Sequence, residues 1–222
     1  MIVGRNRLIA LFTRMVLFAA FLTSLIFYGQ KLGNSYTVFC LFETQIGMVY
    51  LIVLGFVILL NTIDLRHGIK GISPGLYRPF ALSFVSYGIL GGIMGIAYVM
   101  PTHNFFCLEG LFYNLLLILV PTLDWIFFEK KGVVKFYSGI TWVIYPVFFM
   151  VFTVFRAVIW NSAPLFPDGS MYAYEFFSHR DPLFLLYAVA MLFINYGFSM
   201  LVIWTDKLLG RPFIARKDIL LD

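Results

Sequence analysis

Six stretches of about 20 mostly apolar residues dominate this 222-residue chain. They are Leu8–Tyr28, Phe39–Leu60, Phe80–Met100, Glu109–Phe128, Ile140–Trp160 and Leu183–Thr205. A helix rises ~1.5 Å per residue, so each stretch is long enough to cross the hydrocarbon layer of a bilayer. Each is too long and too uniformly apolar for a barrel strand, which alternates over roughly ten residues. The six stretches take 128 residues, and no loop between them exceeds 22, so a soluble domain has no room. The expected fold class is therefore all-α: a polytopic membrane protein, one six-helix transmembrane domain over residues 1–222.

Composition excludes the alternatives. Only 12% of the residues are charged and 61% are hydrophobic, against about 25% and 45–50% in soluble domains. Half the usual charge cannot cover a water-facing surface, which argues against a soluble enzyme, a nucleic-acid binder or a disordered linker. Lys and Arg then set the orientation. Twelve fall at the N-terminus, the second and fourth loops and the C-terminal tail, whereas Lys31 and Arg180 alone fall on the opposite side. Both termini are expected in the cytoplasm, and the net charge of +5 is read as attraction to anionic lipid headgroups. Arg7 followed by an apolar run imitates a signal peptide. The run is long, however, and is interrupted by Arg14 without a small-residue cleavage site after it, so a retained span is expected.

Between the spans, the second loop (61–79) is rich in Gly and Pro and reads as a turn-rich connector. The fifth loop (161–182) carries Met171-Tyr172-Ala173-Tyr174-Glu175-Phe176-Phe177. It folds back on the bundle or lies in the interface, where it caps a cavity or anchors in headgroups, and anchoring is preferred to capping. Gly88, Gly91, Gly92 and Gly95 form overlapping small-xxx-small patterns in span three that let another helix approach closely. Pro121 and Pro146 predict kinks in spans four and five. Cys40 and Cys107 fall on the same side of the membrane. They are either small apolar residues at helix ends or a disulfide tying span two to the third loop.

Ionisable groups within spans are costly, so each needs a reason. Glu43, Asn114 and Arg156 all lie ~6–8 Å below the outer boundary, with Thr44, Gln45 and Glu109 close by. This layer reads in two ways. Arg156 is neutralised by Glu43 or Glu109 while Asn114 bonds across helices, or the group lines a polar cavity for an amphiphile's head. In the second case Arg156 would orient a carboxylate or phosphate. A second layer near the cytoplasm holds Arg14 and Asp124, each ~6–9 Å deep, as a structural ion pair or a transport step. His103 and His179 lie in outer loops, but no HExxH or CxxC spacing accompanies them, and neither a metal nor a cofactor is expected.

Leu123-Asp124-Trp125-Ile126-Phe127-Phe128, then Trp142 to Tyr145-Pro146, Thr153 to Arg156, and Tyr172-Ala173-Tyr174-Glu175-Phe176 follow one another in a particular order. Over roughly residues 10–205 the chain resembles the bacterial six-span relatives of the androgen-induced, FAR-type membrane proteins. In the animal branch that resemblance implies threonine hydrolases acting on branched fatty-acid esters, with a Thr in span two as nucleophile and a His in span four as its partner. Matching on Leu123-Asp124-Trp125 puts the His position at Asn114 and the Thr at Glu43 or, one residue along, Thr44. Asn cannot take a proton at neutral pH, so the pair is broken. Three outcomes stay open: a non-catalytic lipid pocket, Glu43 as substitute base for Thr44, or His179 reaching in.

The resulting expectation is a bacterial inner-membrane protein with an outer-leaflet polar cavity that binds, and at most hydrolyses, a fatty-acyl lipid. Thr44 and Glu43 are its catalytic candidates. Asn114, Arg156, Glu109, Tyr172 and Tyr174 are its substrate-binding candidates. Membrane lipids are the expected partners, together with a membrane-protein partner or a second copy. An accessory subunit is the alternative, and a small transporter the further one.

Overall fold

The computed structural model describes residues 6–33, 35–103, 106–159, 164–166, 168–178 and 181–218. Six helices are long and apolar enough to span a membrane: Arg7–Leu32, Phe42–His67, Arg78–Thr102, Leu108–Phe128, Ser138–Val158 and Phe184–Gly210. They are spans one to six, and the described residues contain no strand. With six spans, the start of span one and the end of span six belong to one end of the bundle, here the terminal face. The chain is an integral, multi-pass membrane protein of the all-α class.

Span three is the central element, with the largest buried share of the six, and it packs against spans two, four and six. Its glycines explain the approach. A Cβ on Gly88 would lie 2.4 Å from the Leu117 carbonyl oxygen, and one on Gly92 would lie 2.6 Å from the Ile118 side chain. Removing the side chains lets the backbones of spans three and four meet, which yields dispersion contact where no hydrophobic drive exists.

Several boundaries depart from the sequence reading. Span two is expected from Phe39, but the helix breaks at Leu41, whose extended backbone separates a short helix, Ser35–Cys40, from Phe42 onward. Span five is expected as one helix kinked at Pro146. Instead a short helix, Ser138–Thr141, ends at Trp142 and a new one runs Ile144–Val158. The break places Pro146 in the first turn of the second segment, where its missing N–H costs nothing. Trp160, the expected end of that span, lies outside the described residues.

Loop five overturns the headgroup-anchor reading. Ala173, Tyr174 and Phe177 are at most 1% exposed, and Leu165, Phe166 and Tyr172 are buried with them. The loop folds back into the bundle because its aromatic rings find protein partners there. Phe149 of span five meets Tyr174 at 5.9 Å, and Tyr98 of span three meets Phe176 at 4.9 Å.

Candidate functional site

Glu43 stands in the first turn of span two and is fully enclosed. Its Oε2 accepts a 2.5 Å hydrogen bond from the Tyr174 hydroxyl of loop five. The Tyr113 hydroxyl of span four donates to its main-chain carbonyl at 2.9 Å. Tyr113 in turn stacks against Tyr28 and Phe21 of span one, at 5.1 and 5.5 Å. Burial and the neighbouring Glu43 carboxyl push the Tyr174 phenol well above its ordinary value, so it serves as a neutral donor.

Span three closes this layer from the other side. A Cβ on Gly91 would come within 3.2 Å of Glu43 Cα, and one on Gly95 within 2.3 Å of Asn114 Oδ1. Gly95 opens a π-helical segment, Gly95–Val99, where the extra residue in the turn accommodates the amide. Asn114 Nδ2 donates to the Gly110 carbonyl at 2.9 Å, within its own helix. Tyr28, Tyr113, Gly91 and Gly95 were not among the residues singled out for this layer. Their depth was the available signal, since Tyr113 adjoins Asn114 in sequence.

The sequence reading fails here in three places. Arg156 forms no ion pair with Glu43 or Glu109 among the described residues. Its guanidinium lies over the Tyr36 ring, 5.8 Å from the centroid, and Glu109 faces Lys31 at 3.5 Å on the surface. Thr44 is buried with its hydroxyl donating to the carbonyls of Val38 and of Leu41, the latter at 3.0 Å, so it stitches the break before span two. No hydrogen bond joins Thr44 to Glu43 or Asn114 among the described residues, so neither serves that hydroxyl as a base. Finally, Glu43, Asn114 and Arg156 are at most 1% exposed, and the described residues leave no open space beside them where the outer cavity is expected. Tyr172 is buried as well. His179 lies outside the described residues.

His103, at the end of span three, is a clamp. Nδ1 lies 2.7 Å from Asp168 Oδ2, Nε2 lies 3.2 Å from the Ala173 carbonyl, and the ring stacks on Phe166 at 3.8 Å. With both nitrogens engaged, it pins loop five to the bundle. Partial desolvation acts to raise the Asp168 carboxyl, but the bonds from His103 and Ser170 outweigh it and hold the group below its ordinary value. Cys40 and Cys107 are free thiols, so the disulfide is not formed. Cys107 instead caps span four, its sulfur accepting from the Gly110 amide at 3.3 Å.

Near the terminal face, Arg14 and Asp124 meet: Nε donates to Oδ1 at 2.7 Å, both side chains buried. Arg14 also reaches the Pro74 carbonyl at 2.5 Å and lies over the Phe128 ring at 4.4 Å. Ser73 donates to Asn61 at 2.5 Å, and Glu129 accepts from the Leu76 amide at 3.1 Å. Asp206 of span six, one residue past the expected end of that span, accepts from Trp125 Nε1 at 3.1 Å and from the Gly132 amide at 2.9 Å. Burial, with Asp124 nearby, raises the Glu129 carboxyl. Burial lowers the Lys131 ammonium to about 8 against the pull of Asp206 and Glu129. The pair foreseen for spans one and four is thus the centre of a network that also binds spans two and six.

Open space lies elsewhere. Spans two, three and five border a lateral groove of about 390 Å³, lined by Ile46, Phe84, Trp142 and Phe148 among others. Apart from that of Tyr77, its hydroxyls are committed within the protein. Tyr87 donates to the Trp142 carbonyl, Tyr145 to Gln45, Ser83 to the Phe80 carbonyl and Thr141 to the Ser138 carbonyl, each at 2.7–2.9 Å. At the terminal face the groove meets a second cavity of about 520 Å³, which includes Arg78, Lys135 and Tyr137, and the two share Tyr77 and Pro79. Comparison with family models, curated proteins and solved structures finds no match to this chain.

Proposed function

We propose that this protein is a non-catalytic membrane protein that holds a fatty-acyl lipid chain in the groove between spans two, three and five. One observation carries the reading: the groove is open at the side of the bundle, yet the hydroxyls of Ser83, Tyr87, Thr141 and Tyr145 on its wall are already bonded inside the protein, and only Tyr77 there keeps a hydroxyl unbonded among the described residues. Away from Tyr77 such a wall offers dispersion contact and no spare hydroxyl donor, which suits a hydrocarbon chain and not a polar solute. From Pro79 to Tyr87 the groove runs about 12 Å along span three, close to one leaflet of a ~30 Å hydrocarbon layer. The excess of twelve Lys and Arg over two supports a cell-membrane orientation with the terminal face cytoplasmic. The order of the Leu123-Asp124-Trp125 and later motifs supports descent from the androgen-induced family, with the nucleophile–base pair lost. The accessory-subunit reading has less support, because spans two and four already occupy the glycine stripe that would seat a partner helix.

Filling the groove tests the reading. Val49 and Ile144 line it and are 41% and 55% exposed, so larger side chains fit there without disturbing the core. Native mass spectrometry of the wild type from mild detergent is expected to show one retained phospholipid, and Val49→Trp and Ile144→Trp are expected to lose it at unchanged thermal stability. Equal lipid retention in all three proteins would sink the proposal.

A further inference from the structure

We infer that the occupant of the groove is an anionic phospholipid whose phosphate is read by Arg78 and Lys135. This rests on the acyl-chain reading above and adds the head to the chain. The second cavity, with Arg78 and Lys135 on its wall, adjoins the groove, since Tyr77 and Pro79 line both. Arg78 is the first residue of span three, and Lys135 precedes Ser138, the first residue of span five, by three positions. Both cations therefore stand at headgroup level.

Neither cation is spent within the protein. Among the described residues Arg78 makes no ion pair or side-chain hydrogen bond, and Lys135 has a single ring contact, 5.7 Å from the Tyr137 centroid. The other basic side chains of this face that enter the fold are occupied: Arg7 by Asp64 at 2.6 Å, Arg14 by Asp124 at 2.7 Å, and Lys131 by the carbonyls of Trp125 and Glu129. The nearest acidic side chain, Glu129, lies buried behind Gly75 and Leu76, where it accepts from the Leu76 amide and faces Arg14 at 3.9 Å, and among the described residues none lines the mouth itself. A guanidinium and an ammonium on one wall present several donors to a phosphate, while the exposed hydroxyls of Tyr77 and Tyr137 can add neutral ones. A zwitterionic lipid would bring its own cation into the same positive mouth and be repelled, so charge complementarity selects the anionic class.

The experiment offers detergent-purified protein an equimolar mixture of phosphatidylglycerol and phosphatidylcholine with identical acyl chains, and native mass spectrometry counts the retained lipid. The wild type is expected to retain phosphatidylglycerol preferentially. Arg78→Gln and Lys135→Gln are each expected to reduce that preference about fivefold. The double variant is expected to bind the two lipids alike while still retaining one, and Val49→Trp to retain neither. Retention without headgroup preference in the wild type, or a preference unchanged in the double variant, overturns the phosphate assignment and leaves the acyl-chain reading standing. A wild type that retains no lipid overturns both.

Discussion

Arg14 carries a full charge into a helix whose other buried residues are Ala10, Phe21, Ser24 and Tyr28, and its worth depends on Asp124. Within the membrane an unpaired guanidinium or carboxylate is far more costly than the pair, whose net contribution is small. Arg14→Met is therefore expected to lower stability by about 3–5 kcal/mol, since it strands Asp124 beside Glu129. The double variant Arg14→Met/Asp124→Leu is expected to recover most of that loss. Thermal unfolding in detergent measures both, and a double variant as unstable as the single one would show that the pair is not the unit. Glu43 illustrates the same rule with a different outcome. Its partner is a neutral phenol from residue 174, 131 positions away, and no pattern of charges points there.

At the scale of elements, the glycines of span three and the clamp on loop five decide how the bundle closes. Gly88→Ala is expected to destabilise by about 1–3 kcal/mol or more, because the new methyl meets the backbone oxygen of Leu117, which cannot move aside. Gly197→Ala in span six meets nothing within 4 Å and is expected to be neutral or to stabilise by about 0.5–1 kcal/mol. Differential scanning fluorimetry of the two variants separates a packing role from a general intolerance of side chains. For loop five, the folded Asp168 carboxyl is held below its ordinary value. The contribution of its bond to His103 is thus complete above the ordinary carboxylate range and is lost as pH falls through the folded value. Proteolysis within residues 164–178 is expected to accelerate over that acid window in the wild type. Asp168→Asn is expected to show the faster cleavage at neutral pH already, and a pH-independent rate in the wild type would remove the clamp.

For the molecule as a whole, the legible part was what depends on local sums. A run of 20 apolar residues identifies a span whatever surrounds it, because a helix satisfies its own backbone in lipid. Depth within a span follows from counting residues, and so Arg14 and Asp124 could be placed at one level and found joined. Small residues four apart mark a helix contact for the same reason. Depth does not give rotation about a helix axis, however, and that is where the outer layer went differently. Glu43, Asn114 and Arg156 share a level but meet Tyr174, Gly95 and Tyr36 instead of one another. The path of loop five, the rotation of each span and the space left between spans two, three and five are products of packing among distant residues. Steric fit and desolvation decide them only when all six helices are present, so the tertiary structure alone filled the expected cavity and opened the groove.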